Sequence, residues 1–146
     1  MTQPDKIRWD EALSTGDDNL DSQHKVLLGI FNDLANIIET GANRDNIEKI
    51  LLALKHYARW HFTCEEDCME KYHCPVADVN KKGHAFFVQR LESYEQDFYH
   101  AKDITEFALH VHNDLARWIY VHILEVDAKL YHSIHATPVP KDIGKE

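Results

Sequence analysis

An all-α fold, an antiparallel up-down-up-down four-helix bundle with an irregular N-terminal arm, is predicted by three features of the sequence. Apolar residues recur at helical spacing through four stretches of roughly 20 to 30 residues. No segment alternates with period two, so strands are not expected. The five glycines and four prolines fall between the periodic stretches and act as punctuation. Four amphipathic helices joined by short loops bury their stripes together most economically as a bundle.

The first 19 residues carry Trp9 and Leu13 as large apolar anchors and read as an arm lying across the bundle. A first helix is expected over about 21–40, with Leu20, Leu27, Phe31, Leu34 and Ile38 on one stripe and Gly41 closing it. The second, about 44–72, opens on the start signals Asn43 and Asp45 and turns Ile47, Ile50, Leu54 and Tyr57 inward. Cys74-Pro75 interrupts the pattern. A third helix, about 77–101, aligns Phe87, Leu91, Tyr94 and Phe98. The fourth, about 104–132, carries Ala108, Val111, Leu115, Trp118, Ile119 and Leu130. Residues 133–146, marked by Pro138 and Pro140, read as a tail.

A chain of 146 residues suits one domain with a modest core, so 1–146 is expected to be a single domain. Its 44% hydrophobic and 28% charged residues match a globular chain, not a disordered or membrane-embedded one. No apolar run approaches the ~18 residues of a spanning helix. The N-terminus shows no secretory pattern, which leads to an expected cytoplasmic location. Sixteen Lys and Arg against 25 Asp and Glu give a net charge of -9, which opposes contact with nucleic-acid phosphates or anionic lipid. In a reducing compartment Cys64, Cys68 and Cys74 are expected to be free thiols. The outlying count is 11 histidines, and imidazole is the commonest metal ligand.

The residues that interrupt the apolar stripes carry the chemistry. His24 lies between Leu20 and Leu27; His61 and Glu65 are one turn apart; Asn80 and His84 are one turn apart in line with Phe87; His122 continues Leu115 and Trp118. Asp127 follows His122 by five residues, about 140° off its line at ~100° per residue. Either the two groups flank a shared ligand, or a π-bulge realigns them. A single core histidine is more often a hydrogen-bonded core residue than a ligand. All four helices, however, send such groups toward one cross-section, where unpaired burial would cost several kcal/mol for each ionised carboxylate. Two divalent ions offset that cost, and the imidazole and carboxylate set suits iron, manganese or zinc better than calcium or magnesium. His56, His73, His100, His110, His112, His132 and His135 lack this support and are expected at the surface.

Four segments, Leu20-Asp21-Ser22-Gln23-His24, His61-Phe62-Thr63-Cys64-Glu65-Glu66, Met69-Glu70-Lys71-Tyr72 and His122-Ile123-Leu124-Glu125-Val126-Asp127, resemble hemerythrins, in particular single-domain bacterial ones. The likeness runs from about Trp9 to Leu130. It implies two non-haem iron ions joined by an oxo or hydroxo bridge, with O2 as ligand. On that resemblance His24 and His61 hold the iron with an open position, His84 and His122 hold the second, and Glu65 and Asp127 bridge them. It also implies an O2 pocket walled by Leu27, Leu28, Phe62, Trp118, Ile119 and Ile123. These walls carry no charge for a proton relay, which favours a binding protein over an enzyme. The sequence departs from the family at Asn80, where a histidine is expected four residues before His84. An amide oxygen is a weak neutral ligand, so the second ion is expected to be held less firmly.

Other small ligands, nitric oxide or peroxide, and peroxidase or oxidase chemistry are the alternatives on the same residues. A ferritin-like oxidase needs Glu-x-x-His on two helices, and only Glu70 to His73 matches. Cys64 and Cys68, one turn apart near His61, offer a weaker zinc or redox-sensor alternative.

Overall fold

The computed structural model describes residues 3–136. Four long helices, α1 (Asp18–Thr40), α2 (Arg44–Lys71), α3 (Ala77–Phe98) and α4 (Ile104–Glu125), are followed by a short α5 (Leu130–Ile134). Two 3-10 turns, Glu11–Leu13 and Asp127–Lys129, complete the ordered elements, and the described residues contain no strand. Short connections make successive helices antiparallel. α1 packs on α2 and α4, and α3 packs on α2 and α4, closing a four-helix bundle. Among the described residues no helix is long and apolar enough to cross a membrane.

The helix ends follow from local chemistry. Asp17 accepts a hydrogen bond from the Leu20 amide at 2.9 Å, so α1 begins at Asp18, three residues before the expected start, and takes Asp18 and Asn19 out of the arm. Asn43 and Asn46 exchange side-chain and backbone hydrogen bonds in a capping box that opens α2. His73, in the left-handed region at φ 52°, stops it, and the Cys74 amide reaches back to the Met69 carbonyl at 2.9 Å. α3 ends at Phe98 and not 101, because the Arg44 guanidinium takes the Phe98 carbonyl at 2.9 Å and also that of Ala101. Asp103 caps α4 through the Glu106 amide.

α4 stops at Glu125 and not 132. Val126, at φ -113°, ψ -61°, departs from ideal α-helical values while staying in the right-handed region, and a 3-10 turn carries the chain into α5. The expected tail therefore loses Ser133 and Ile134 to α5; Pro138 and Pro140 lie outside the described residues. Ile50 and Tyr57, expected inward, are half-buried at the margin, while Leu51 and Ala58 fill the α2 stripe. The arm is tied to α1: the Ile7 amide and carbonyl bond Asn32 at 2.7 and 2.8 Å. Ser14 Oγ, Thr15 Oγ1 and the Thr15 amide all donate to the Asp21 carboxylate.

Two apolar clusters divide the interior. The larger includes Leu27, Phe31, Phe62, Phe87, Leu115 and Ile119; the smaller, toward the end holding the α2–α3 turn, contains Leu20, Met69, Cys74 and Leu130. The histidines and carboxylates singled out above lie between them. His24 falls between Leu20 and Leu27, and Glu65 between Phe62 and Met69.

Candidate metal centre

Each of the four long helices contributes one imidazole to a shared buried layer, because each interrupts its own buried stripe with a histidine at that level. His24, His61, Glu65, Asn80, His84, His122 and Asp127 are all buried. Their donor atoms form two overlapping groups. His24, His61, Glu65 and Asp127 lie within 4.8 Å of one another, as do Glu65, His84, His122 and Asp127.

The carboxylates join the groups by facing both ways. Glu65 Oε2 lies 2.9 Å from His24 Nε2 and 3.5 Å from His61 Nε2, while Oε1 lies 2.9 Å from His84 Nε2. Asp127 repeats this with Oδ2 at 3.2 Å from His24 Nε2 and Oδ1 at 3.2 Å from His122 Nε2. Of the two expected alternatives the π-bulge does not occur, while His122 and Asp127 fall in one donor group, as two groups flanking a shared ligand would. α4 breaks at Val126, and the following 3-10 turn swings Asp127 inward.

Electrostatics match this crowding. Burial alone would lower the His24 pKa, but hydrogen bonds to Asp127 and Glu65, with their charges, raise it to about 10. His84 is likewise raised against burial by Glu65, Asp127 and Glu66. Burial opposes ionisation of Glu65, yet the neighbouring His24 charge and bonds from three imidazoles hold it well below the usual carboxylate range. The donor set attracts positive charge, and a cation bound there would displace protons from the ring nitrogens.

Outer partners orient the rings. His61 Nδ1 donates to Gln23 Oε1 at 2.7 Å and His84 Nδ1 donates to Glu66 Oε2 at 2.8 Å, which turns both Nε2 atoms inward. Neither partner was apparent in the sequence, since each reaches a ring on a different helix. His24 Nδ1 is buried with no partner. Phe62 stacks on His84 with centroids 3.8 Å apart, and Trp118 on His122 at 4.7 Å. Leu27, Leu28, Ile119 and Ile123 are buried in the larger cluster; Trp118 is half-exposed, so it covers His122 from outside. Gly83 makes room for His122, because a Cβ there would lie 2.7 Å from its Cε1.

One surface expectation is corrected. His112 is buried, and neither ring nitrogen has a partner. The signal was present, since 108, 112, 115 and 119 share a helical stripe. Burial lowers its pKa. The other six histidines set aside above are exposed. No cysteine belongs to either donor group among the described residues, and burial with the Asp17 charge pushes the Cys68 thiol up to about 11, which leaves it a poor nucleophile.

Residues 15–133 match the family described as Hemerythrin HHE cation binding domain. A bacteriohemerythrin of Clostridium acetobutylicum is 30% identical over 129 residues, covering 82% of this chain and 94% of its own. One of Stenotrophomonas maltophilia is 28% identical over 115 residues, 79% of this chain and 72% of that protein. A crystal structure of wild-type hemerythrin superposes with a TM-score of 0.70 at 30% identity, covering 86% of this chain and 94% of that one. With its family pattern spanning most of the bundle and two imidazole and carboxylate groups at the bundle's heart, this chain belongs to the hemerythrin family.

Proposed function

We propose that the chain binds dioxygen, for carriage, storage or sensing, at a pair of non-haem iron ions. His24 and His61 would hold one ion and His84 and His122 the other, with Glu65 and Asp127 shared between them. The observation that carries this reading is the double span of the carboxylates, each of which directs one oxygen to either histidine pair. A site for one ion needs no such sharing. The donor chemistry also fits: neutral imidazole with carboxylate suits iron, and the two anions offset the charge of two cations.

Reduced iron, when bound, supplies the electrons that make O2 a strong ligand. The protein contributes orientation and exclusion. Gln23 and Glu66 hold the outer nitrogens of His61 and His84, so that the inner nitrogens face the ions. Acceptance by the Glu66 carboxylate also makes the His84 ring a stronger donor. Leu27, Leu28, Phe62, Ile119 and Ile123 bound one side of the polar layer with apolar surface, while Trp118 shields His122. That surface keeps water from the centre, an environment suited to a small uncharged ligand. With no charged side chain among those walls, protons are not delivered quickly, which favours binding over turnover. The unit proposed to do this is one domain spanning 1–146, with an arm folded across it.

The test is metal analysis with spectroscopy. Protein loaded anaerobically with iron(II) should hold two iron ions per chain and gain visible absorption on exposure to O2. Zinc-loaded protein should stay colourless. Absence of bound iron, or iron-loaded protein that stays colourless in O2, would remove the proposal.

A further inference from the structure

We infer that the two ion positions are unequal and fill in order, because the side-chain amide of Asn80 stands inside the second position as a neutral substitute for a cation. The inference rests on the two-ion reading above and concerns how this chain's own residues receive those ions.

Asn80 is fully buried near the start of α3. With its nitrogen turned inward, the amide lies 2.8 Å from His122 Nε2, 2.9 Å from His84 Nε2, 2.9 Å from Asp127 Oδ1 and 3.3 Å from Glu65 Oε1. Those four residues are the whole of the second donor group. One atom so close to all four sits at their centre. A transition ion bound by the same atoms at ~2.0–2.2 Å would need that point. Amide and ion therefore exclude each other.

The amide nitrogen suits the place chemically. It brings two hydrogens to a ring of acceptors, where the Asp127 and Glu65 oxygens and the His122 nitrogen compete for them. Turned the other way, its carbonyl oxygen occupies the same point, 2.8 Å from His122 Nε2. For an ion to enter, the Asn80 side chain must withdraw from that point, after which its oxygen can serve only as a weak ligand from outside it. That movement gives up the hydrogen bonds of the inward amide. The first group imposes no such exchange. Among the described residues, no side chain outside that group hydrogen-bonds to the inner nitrogen of His24 or His61.

Two consequences follow. The first ion binds without displacing a side chain, and the second binds at least about tenfold more weakly, the lower end of what a disturbed ligand environment costs. A chain carrying one ion and the Asn80 amide is then a stable species, since Glu65 and Asp127 keep a partner on both sides.

Cobalt(II) titration of chelator-stripped protein under anaerobic conditions, followed by calorimetry and visible absorption, tests this. The wild type should bind one ion per chain tightly and the second in a separate step at least about tenfold weaker. Asn80→Asp, nearly isosteric but unable to donate inward, should merge the steps into one of two ions per chain. Asn80→His should do the same through a stronger ligand, and circular dichroism checks that each variant folds. Equal affinity for both ions in the wild type would overturn the inference, as would an unchanged gap in folded Asn80→Asp. A wild type that binds no ion at all would instead sink the two-ion reading on which the inference stands.

Discussion

Gly83→Ala is the most informative single perturbation of the second histidine pair. A Cβ at this position would lie 2.7 Å from His122 Cε1 and 3.0 Å from its Nδ1, where ordinary contact begins at 3.4 Å. The ring must therefore retreat by about 0.7 Å. It cannot do so freely, because Trp118 is stacked on it at 4.7 Å and 12° and its Nε2 lies 3.2 Å from Asp127 Oδ1. Metal ligands tolerate displacements of only ~0.2 Å, so a shift of this size takes His122 out of bonding position. Overpacking should cost about 1–3 kcal/mol of stability. Affinity for the second ion should fall by about 10- to 100-fold, with the His24 and His61 position little changed. Cobalt(II) titration measures the two affinities and urea denaturation the stability. A folded Gly83→Ala protein that binds both ions as tightly as the wild type would show that His122 is not held as argued.

Glu65→Gln removes the carboxylate shared by both groups and should lower iron content at both positions together; a variant that loses only one ion would contradict the shared role. In chelator-stripped protein, the raised His24 pKa contributes stability that is fully present below about pH 6.5 and is lost as pH climbs through about 10. Depression of Glu65 contributes above its ordinary range near 4.5 and is lost on acidification. The urea midpoint of stripped protein should consequently decline from pH 6.5 to 10, and metal-loaded protein should lose less, because the ion replaces the proton. A flat profile for stripped protein would reject this linkage. Asn80→His should slow oxidation of the reduced, iron-loaded protein in air by filling the weak coordination position; an unaltered decay of the reduced state would discard that role for Asn80.

The sequence carries the bundle because helix periodicity is a local property. Leu27, Phe31 and Leu34, or Phe87, Leu91 and Tyr94, reveal a buried face without reference to any other helix. The same geometry makes His61 and Glu65 neighbours on one turn, and it exposes His24, His84 and His122 as polar breaks in apolar stripes. The capping residues Asn43 and Asp103 also act within a few positions of themselves. The burial of His112 was equally open to this reasoning, since it shares a stripe with Leu115 and Ile119.

What no single-helix pattern contains is how one helix is rotated and shifted against the next. That decides that Gln23 meets His61, that Glu66 meets His84, and that Gly83 faces the His122 ring. It also decides where a chain leaves its helix. Periodicity would carry α4 past Asp127, whereas packing of Leu130 with Leu20 and Met69 accompanies a break at Val126 that brings the carboxylate between His24 and His122. Residue types and their helical faces are written in the chain, because backbone geometry fixes side-chain direction every 3.6 residues. The convergence of donors, and the amide standing among them, exists only once four helices settle at the distances their buried side chains allow.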